Sequence, residues 1–375
     1  MQTKIYFITL LTSLVGISFY QCSSSDSEKE TPNPKPLLDY PEYFGNSFLI
    51  PEDNPTDLSR VELGRMLFYE KKLSGDNSMS CASCHQQKQA FTDGKQFSTG
   101  IDGIKGSKNA MSIVNLLWQR KFFWNGRANS LEEQALIPIQ DPIEMHQSLE
   151  GAINKLQGTE LYPAKFKEAF GSETITAENI AKALAQFERT LISHNSKYDQ
   201  YLKGTYKPTE EELLGINLFF THPIPEIGLR GGNCGDCHLG ALTSGDINDF
   251  QGFHNNGLDG ETDLAPGLMT VTQQTYDRGK FKAPSLRNIA LTAPYMHDGR
   301  FQSLEDVLEH YDEHIIKSET LDPLILEASN EPIHPGEPVK LFLTEKEKKA
   351  ILAFLQMLTD HEFINDERFS NPFTK

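Results

Sequence analysis

Apolar residues recur at helical spacing in four places along the chain. Leu63-Gly64-x-x-Leu67-Phe68 puts apolar side chains on one helical face, behind the capping residues Asp57 and Ser59. The same plan returns as Leu214-Gly215-x-x-Leu218-Phe219, behind Thr209-Glu210-Glu211. Thr176 to Ser193 predicts an amphipathic helix capped by Thr176, with Ile180, Ala183, Leu184, Phe187 and Leu191 on its apolar face. Thr344 to Thr359 predicts a capped closing helix. Strand patterns are weak, and the Gly-, Asn- and Asp-rich stretch 240–260 reads as loop. The pattern is that of a mainly α protein. Two copies of one plan predict two related domains, 41–203 and 204–375, meeting at Lys203-Gly204-Thr205.

The start of the chain follows a different pattern. Met1-Gln-Thr-Lys4 is followed by a largely apolar run from Ile5 to Tyr20. That run is short for a membrane span and fits an export signal over residues 1–21. Cys22 stands where lipid-attachment signals place their cysteine, although Phe19-Tyr20-Gln21 is a poor match to the small residues usual before it. Residues 22–40, rich in Ser, Glu, Pro and Lys, predict a flexible tether. The expected location is the periplasm, with a possible lipid anchor at Cys22. A length of 375 residues suffices for two domains. A formal charge of −17 without a basic stripe excludes nucleic acid as a partner, while leaving room for a basic protein partner.

Charge and length say nothing about chemistry, but the cysteines do. There are five, and apart from Cys22 they fall in two C-x-x-C-H groups, Cys81-Ala-Ser-Cys84-His85 and Cys234-Gly-Asp-Cys237-His238. No cysteine is left over for a disulfide. Each thiol of a group can add across a haem vinyl, and the next residue, a histidine, can reach the iron. A lone C-x-x-C would suit a redox dithiol or half a zinc site; zinc needs two further ligands, and the spacing offers none. The reading is two covalent haem c groups, with His85 and His238 as the iron ligands.

The stretches around these groups carry a resemblance. They are Leu63-Gly-Arg-x-Leu-Phe68, Ala90-Phe-Thr-Asp-Gly94, Phe123-Trp-Asn-Gly-Arg127, Leu131-Glu-Glu-Gln134, Pro142-x-Glu-Met145, Phe187-Glu-Arg-Thr190, Phe281-Lys-Ala-Pro-Ser-Leu-Arg-Asn288 and Thr292-Ala-Pro-Tyr-Met-His-Asp-Gly299. In this order, from about residue 55 to 360, the chain closely resembles the bacterial di-haem cytochrome c peroxidase and MauG family. The resemblance implies two cytochrome c-like domains, a peroxidatic haem in the first and an electron-transfer haem in the second. It implies Glu144 and Gln134 in the peroxide site, with His146 a rival pocket residue that reads more simply as exposed. It implies Trp124 as relay between the haems, and a calcium ion held by the side chain of Asn109 and the carbonyls of Thr292 and Pro294. Arg127 and Arg287 become candidates for the haem propionates, with ordinary surface pairing the alternative.

Two positions depart from the simple peroxidase pattern. Where many relatives carry a second iron-binding histidine, this chain has Ile101, in Ser98-Thr-Gly-Ile101-Asp-Gly103. The first haem is therefore expected to be open in the resting ferric state. Where simple peroxidases place a methionine on the second haem, the count gives Tyr311, as in the MauG branch; Met296 and His310 are alternatives. An anionic phenolate lowers a haem's potential, whereas a thioether raises it.

The expected function is a peroxidase-type oxidoreductase that reduces hydrogen peroxide to water with electrons from a small cytochrome or similar donor, and a homodimer is possible. The first alternative is oxidation of a partner protein's side chains through a bis-ferryl state. The others are a non-catalytic di-haem electron carrier and a haem-based sensor.

Overall fold

The computed structural model describes residues 36–245 and 251–374. The expected signal segment, Cys22 and most of the expected tether lie outside these residues. Helix α1 (Leu58–Tyr69) starts at Asp57, whose carboxylate accepts the Arg60 amide at 3.1 Å, and buries Leu63, Leu67 and Phe68. Helices α2 (Leu131–Gln140), α3 (Leu149–Gln157), α4 (Leu161–Phe170) and α5 (Ala177–Arg189) follow. Thr176 caps α5 by accepting from the Asn179 amide at 3.1 Å. This helix stops four residues before the expected Ser193. The Thr190 hydroxyl folds back on the Phe187 carbonyl at 2.7 Å, and the Ser193 amide is drawn to the Asn115 side chain at 2.8 Å.

The second half repeats the arrangement. After α6 (Lys197–Leu202), α7 (Glu210–Phe220) opens with a reciprocal cap: Thr209 Oγ1 accepts from the Glu212 amide and Glu212 accepts from the Thr209 amide. Strands β1 (Phe253–His254) and β2 (Phe281–Lys282) pair antiparallel, Phe253 opposite Lys282, so part of the stretch expected to be loop forms a short ladder. Helices α8 (Leu304–Glu313) and α9 (Glu345–Met357) complete the set, and α9 is capped at Thr344 as its sequence predicts.

The repeated Leu-Gly pair has one physical purpose in both halves. Helix α1 crosses α5 so closely that a Cβ on Gly64 would run into the Ala183 carbonyl. Helix α7 crosses α9 in the same way, with Gly215 against the Ala350 carbonyl. Around the first crossing Leu63, Leu67, Phe68, Leu184 and Phe187 form a core. Around the second, Leu218, Phe219, Ile351 and Phe354 form another. Each such fully buried side chain contributes roughly 1.5–3 kcal/mol.

The ends of the chain do not respect a division at residue 203. Phe363, Ile364 and Phe369 pack into the first core, although they follow α9. Leu38 and Tyr40, assigned to the tether from sequence, pack with Phe44 and Trp118 instead; the Tyr40 and Trp118 rings meet edge-on at 5.4 Å. No helix among the described residues is long and apolar enough to cross a membrane.

Candidate active site

Both C-x-x-C-H groups sit on tight turns that aim their residues inward. Cys81–Cys84 is a single helical turn, after which the His85 amide returns to the Cys81 carbonyl at 2.9 Å. Cys234–Asp236 is a single tighter turn, and the His238 amide returns to the Cys234 carbonyl at 2.9 Å. His85 donates Nδ1–H to the Phe91 carbonyl at 2.8 Å, and His238 donates to the Pro284 carbonyl at 3.1 Å. Ala90 and Phe91 adopt left-handed backbone, with φ of 49° and 61°, in the turn that follows the first group. Burial lowers the pKa of both imidazoles, that of His238 to about 4. Each is thus a neutral ring with one nitrogen fixed by a carbonyl and Nε2 left over, the state in which histidine binds a metal.

The cysteines suit the same cofactor. None of Cys81, Cys84, Cys234 and Cys237 is in a disulfide, so both pairs are available to haem vinyl groups. Cys234, Cys237 and His238 line a largely apolar cavity whose walls also carry Tyr311 and Met296. Two thiols, a neutral imidazole and an apolar chamber with an oxygen or sulfur donor in its wall fit a covalently attached haem. His310, the other alternative, is buried and donates Nε2–H to the Asn256 carbonyl at 3.0 Å.

On the first-haem side, Glu144 follows α2. Burial raises its carboxyl above the ordinary range, Asp141 adds to this, and Arg127 opposes it. Its backbone is tied to the residue 101 loop and to the end of α2, its own amide donating to the Asp141 carbonyl at 3.0 Å. Gln134, on α2, has a buried Oε1 without a hydrogen-bond partner, an acceptor with unused capacity. Residue 101 is held to this segment: the Ile101 amide donates to the Glu144 carbonyl at 3.0 Å. Gly100 packs so tightly that a Cβ would strike the Ile143 carbonyl. His146 points outward, paired with Asp102 at 2.5 Å, its side chain 55% exposed.

Trp124 and the residues expected to hold calcium come to the wall of the His238 cavity. The Trp124 indole donates to the Asn109 carbonyl at 2.8 Å, and its own carbonyl accepts from the Lys282 amide of β2 at 2.9 Å. Asn109, Thr292 and Pro294 line the same cavity. The Asn109 side-chain amide donates to the Lys95 carbonyl at 2.9 Å, and its main-chain amide to the His297 carbonyl at 2.9 Å.

The two arginines named from the resemblance have protein partners of their own, and two further groups, Glu188 and His254, escaped the sequence reading. Arg287 faces neither solvent nor an open chamber. It is fully buried in an ion pair with Asp199 at 2.6 Å, and its guanidinium lies 5.0 Å above the Phe44 ring. Arg127 stacks 3.6 Å above Phe123 instead of forming a surface pair. Glu188 on α5 is buried with Oε2 unpartnered, while the adjacent Arg189 holds Glu132 through two bonds of 2.8 and 2.9 Å. Burial pushes the Glu188 carboxyl up to about 8, against the pull of Arg189. His254 donates to Asp322 at 2.7 Å; burial alone would lower its pKa, but the Asp322 carboxylate raises it. The only hint of these in sequence is a polar residue inside an otherwise apolar helical face, as with Glu188 beside Phe187.

Comparison with known proteins agrees with this chemistry. Residues 58–207 match the family model described as di-haem cytochrome c peroxidase. The methylamine utilization protein MauG of Methylophilus methylotrophus is 31% identical over 313 residues, which cover 84% of this chain and 86% of that one. The cytochrome c551 peroxidase of Nitrosomonas europaea is 38% identical over 257 residues, 68% of this chain and 73% of that one. Among solved structures, a MauG-like protein associated with microbial copper homeostasis superposes with a TM-score of 0.78 at 36% identity, covering 90% of this chain and 99% of that one. With relatives of this identity and coverage, the chain belongs to the di-haem cytochrome c peroxidase and MauG family of peroxidase oxidoreductases, a family that uses haem c.

Proposed function

We propose that this protein works in the periplasm and reduces hydrogen peroxide to water at its first haem, drawing two electrons from a donor protein such as a small cytochrome. The observation that supports this reading best is Glu144, a partly buried carboxyl of raised pKa on the segment bonded to residue 101. Cys81, Cys84 and His85 would hold one haem, and Cys234, Cys237, His238 and Tyr311 the other. Bound haem iron supplies a coordination site for peroxide and the capacity to accept and release electrons one at a time.

The remaining chemistry belongs to the chain. Glu144 as carboxylate takes the proton from the near oxygen of peroxide and returns it to the departing oxygen, which leaves as water. Two electrons and two further protons complete the second water. Gln134 Oε1 accepts a hydrogen bond from peroxide and turns it toward Glu144. Ile101 cannot bind metal, so that face stays open to peroxide. Trp124 provides an oxidisable ring on the route between the two haem sites. Asn109, Thr292 and Pro294 would hold a calcium ion at the same seam, water completing its shell. Cys22 would carry a lipid anchor.

Stopped-flow mixing of the ferric protein with peroxide tests the reading. A rapid spectral change, followed by return on addition of a reduced cytochrome, is expected. Absence of any change, with both haems six-coordinate at rest, would overturn it. A second reading, oxidation of side chains on a partner protein, is favoured by Tyr311 in the wall of the His238 cavity and by the MauG relatives. Sustained turnover with reduced cytochrome c argues against it.

A further inference from the structure

Asn256 touches each of the three side chains that the sequence offers as outer ligand of the second haem. Its Nδ2 donates to the Tyr311 hydroxyl oxygen at 3.1 Å and to the Met296 sulfur at 3.4 Å. Its main-chain oxygen accepts from His310 Nε2 at 3.0 Å. Tyr311, Met296 and Asn256 all line the cavity that contains His238. We propose that Asn256 is a positioning residue that selects the Tyr311 oxygen over the Met296 sulfur as the group facing His238. This rests on the reading of Tyr311 as ligand given above.

The argument is one of unequal reward. A carboxamide N–H gains little from a thioether, which is a weak acceptor. It gains roughly twice a neutral hydrogen bond from an anionic oxygen. One amide between the two atoms therefore favours the phenolate in an otherwise largely apolar chamber. The same residue removes the third candidate, because the His310 ring is bonded to its main chain and packed 5.5 Å from Phe301. The amide is also rigidly placed. It lies two residues after β1, and the next residue, Gly257, has φ of 69° with its would-be Cβ against Ile315 and Leu321. The Gly257 carbonyl accepts the Ile316 amide at 2.9 Å, and Asn255 Nδ2 is bonded to Ser318 and Thr320, each at 2.9 Å.

The test uses the ferric holoprotein with haem content confirmed, read by near-infrared absorption, electron paramagnetic resonance and redox titration of the second haem. The wild type is expected to lack a thioether-to-iron band. In N256L the band should appear as sulfur takes the place, and the second haem should become easier to reduce by about tenfold in its reduced-to-oxidised ratio, or about 59 mV for one electron. In N256L with M296L the band should vanish again. N256D, which keeps the shape but sets a negative oxygen against the phenolate, should show the same band as N256L. If N256L and N256D both keep the wild-type spectra and potential, the proposal is wrong. The underlying reading fails differently: the wild type would already show the thioether band, or Y311F would leave the second-haem spectrum unchanged.

Discussion

The Trp124 indole N–H donates to the main-chain oxygen of Asn109 at 2.8 Å, which fixes the ring where residues from the first half of the chain meet β2 of the second. The indole also meets the His297 ring edge-on, centroids 6.5 Å apart, and His297 in turn stacks on Phe281 with centroids 3.7 Å apart. W124F keeps the bulk but loses the donor and the easily oxidised indole. Turnover with a reduced cytochrome should fall by an order of magnitude or more, while the spectral change on adding peroxide to the ferric protein persists. Unchanged turnover would remove Trp124 from the electron route.

Glu144 should control the first contact with peroxide. E144Q is expected to slow that reaction by about 10²- to 10⁴-fold, the range usual for a positioned acid–base group. The active form is the carboxylate, so the rate should rise with pH through its pKa. Burial places that rise above the ordinary glutamate range. Stopped-flow rates across pH should show the limb in wild type and not in E144Q.

On the proposed reading, Ile101 is the position that leaves the first haem open. Its amide is tied to the Glu144 carbonyl at 3.0 Å, so a side chain there is held beside the peroxide site. I101H should convert the resting first haem to a six-coordinate low-spin state and suppress its reaction with peroxide. Electron paramagnetic resonance of the ferric protein reads this directly. A persisting high-spin signal would show that residue 101 does not reach the metal.

The two helix crossings should be equally intolerant of a methyl group. G64A would set a Cβ against the Ala183 carbonyl, and G215A against the Ala350 carbonyl. Neither backbone atom can swing aside as a side chain would, so each variant should lose about 1–3 kcal/mol, as over-packed sites do. Denaturant unfolding of the haem-loaded proteins measures this.

Glu188 gives a pH signature. Its folded pKa is raised to about 8 from an ordinary 4.5. Between these values the folded protein keeps a proton that the unfolded chain releases, so stability falls as pH rises through that window. E188Q should flatten the fall. It should gain stability over wild type above about pH 8 and gain none below about 4.5. Equal pH dependence of the two unfolding curves would refute the assignment.

The tight turns at the two C-x-x-C-H groups and the helix caps at Asp57, Thr176, Thr209 and Thr344 were legible in the sequence because each is a local pattern. The mainly helical class followed from the same periodicity. Contacts between distant residues were not legible. Arg287 was read as a propionate or surface partner because nothing near it in sequence announces Asp199, 88 positions away. Helix α5 ended early because Asn115, far back in the chain, competes for the Ser193 amide. Asn256 lay in a stretch that looked like plain loop, and its neighbours Tyr311 and Met296 are 55 and 40 residues away. Leu38 and Tyr40 looked like tether because composition outweighed two apolar side chains whose partner, Trp118, comes much later.

The placement of Phe363, Ile364 and Phe369 in the core built on α1 and α5 sets an order of assembly. Arg65 and Tyr69 reach forward to Ser370 and to the Phe369 carbonyl, and Gln87, two residues beyond His85, reaches Phe363. The half of the molecule that is synthesised first therefore waits for residues 363–370 before its interior is sealed. A chain clipped after α9 would carry both C-x-x-C-H turns and still lack the lid of its first core.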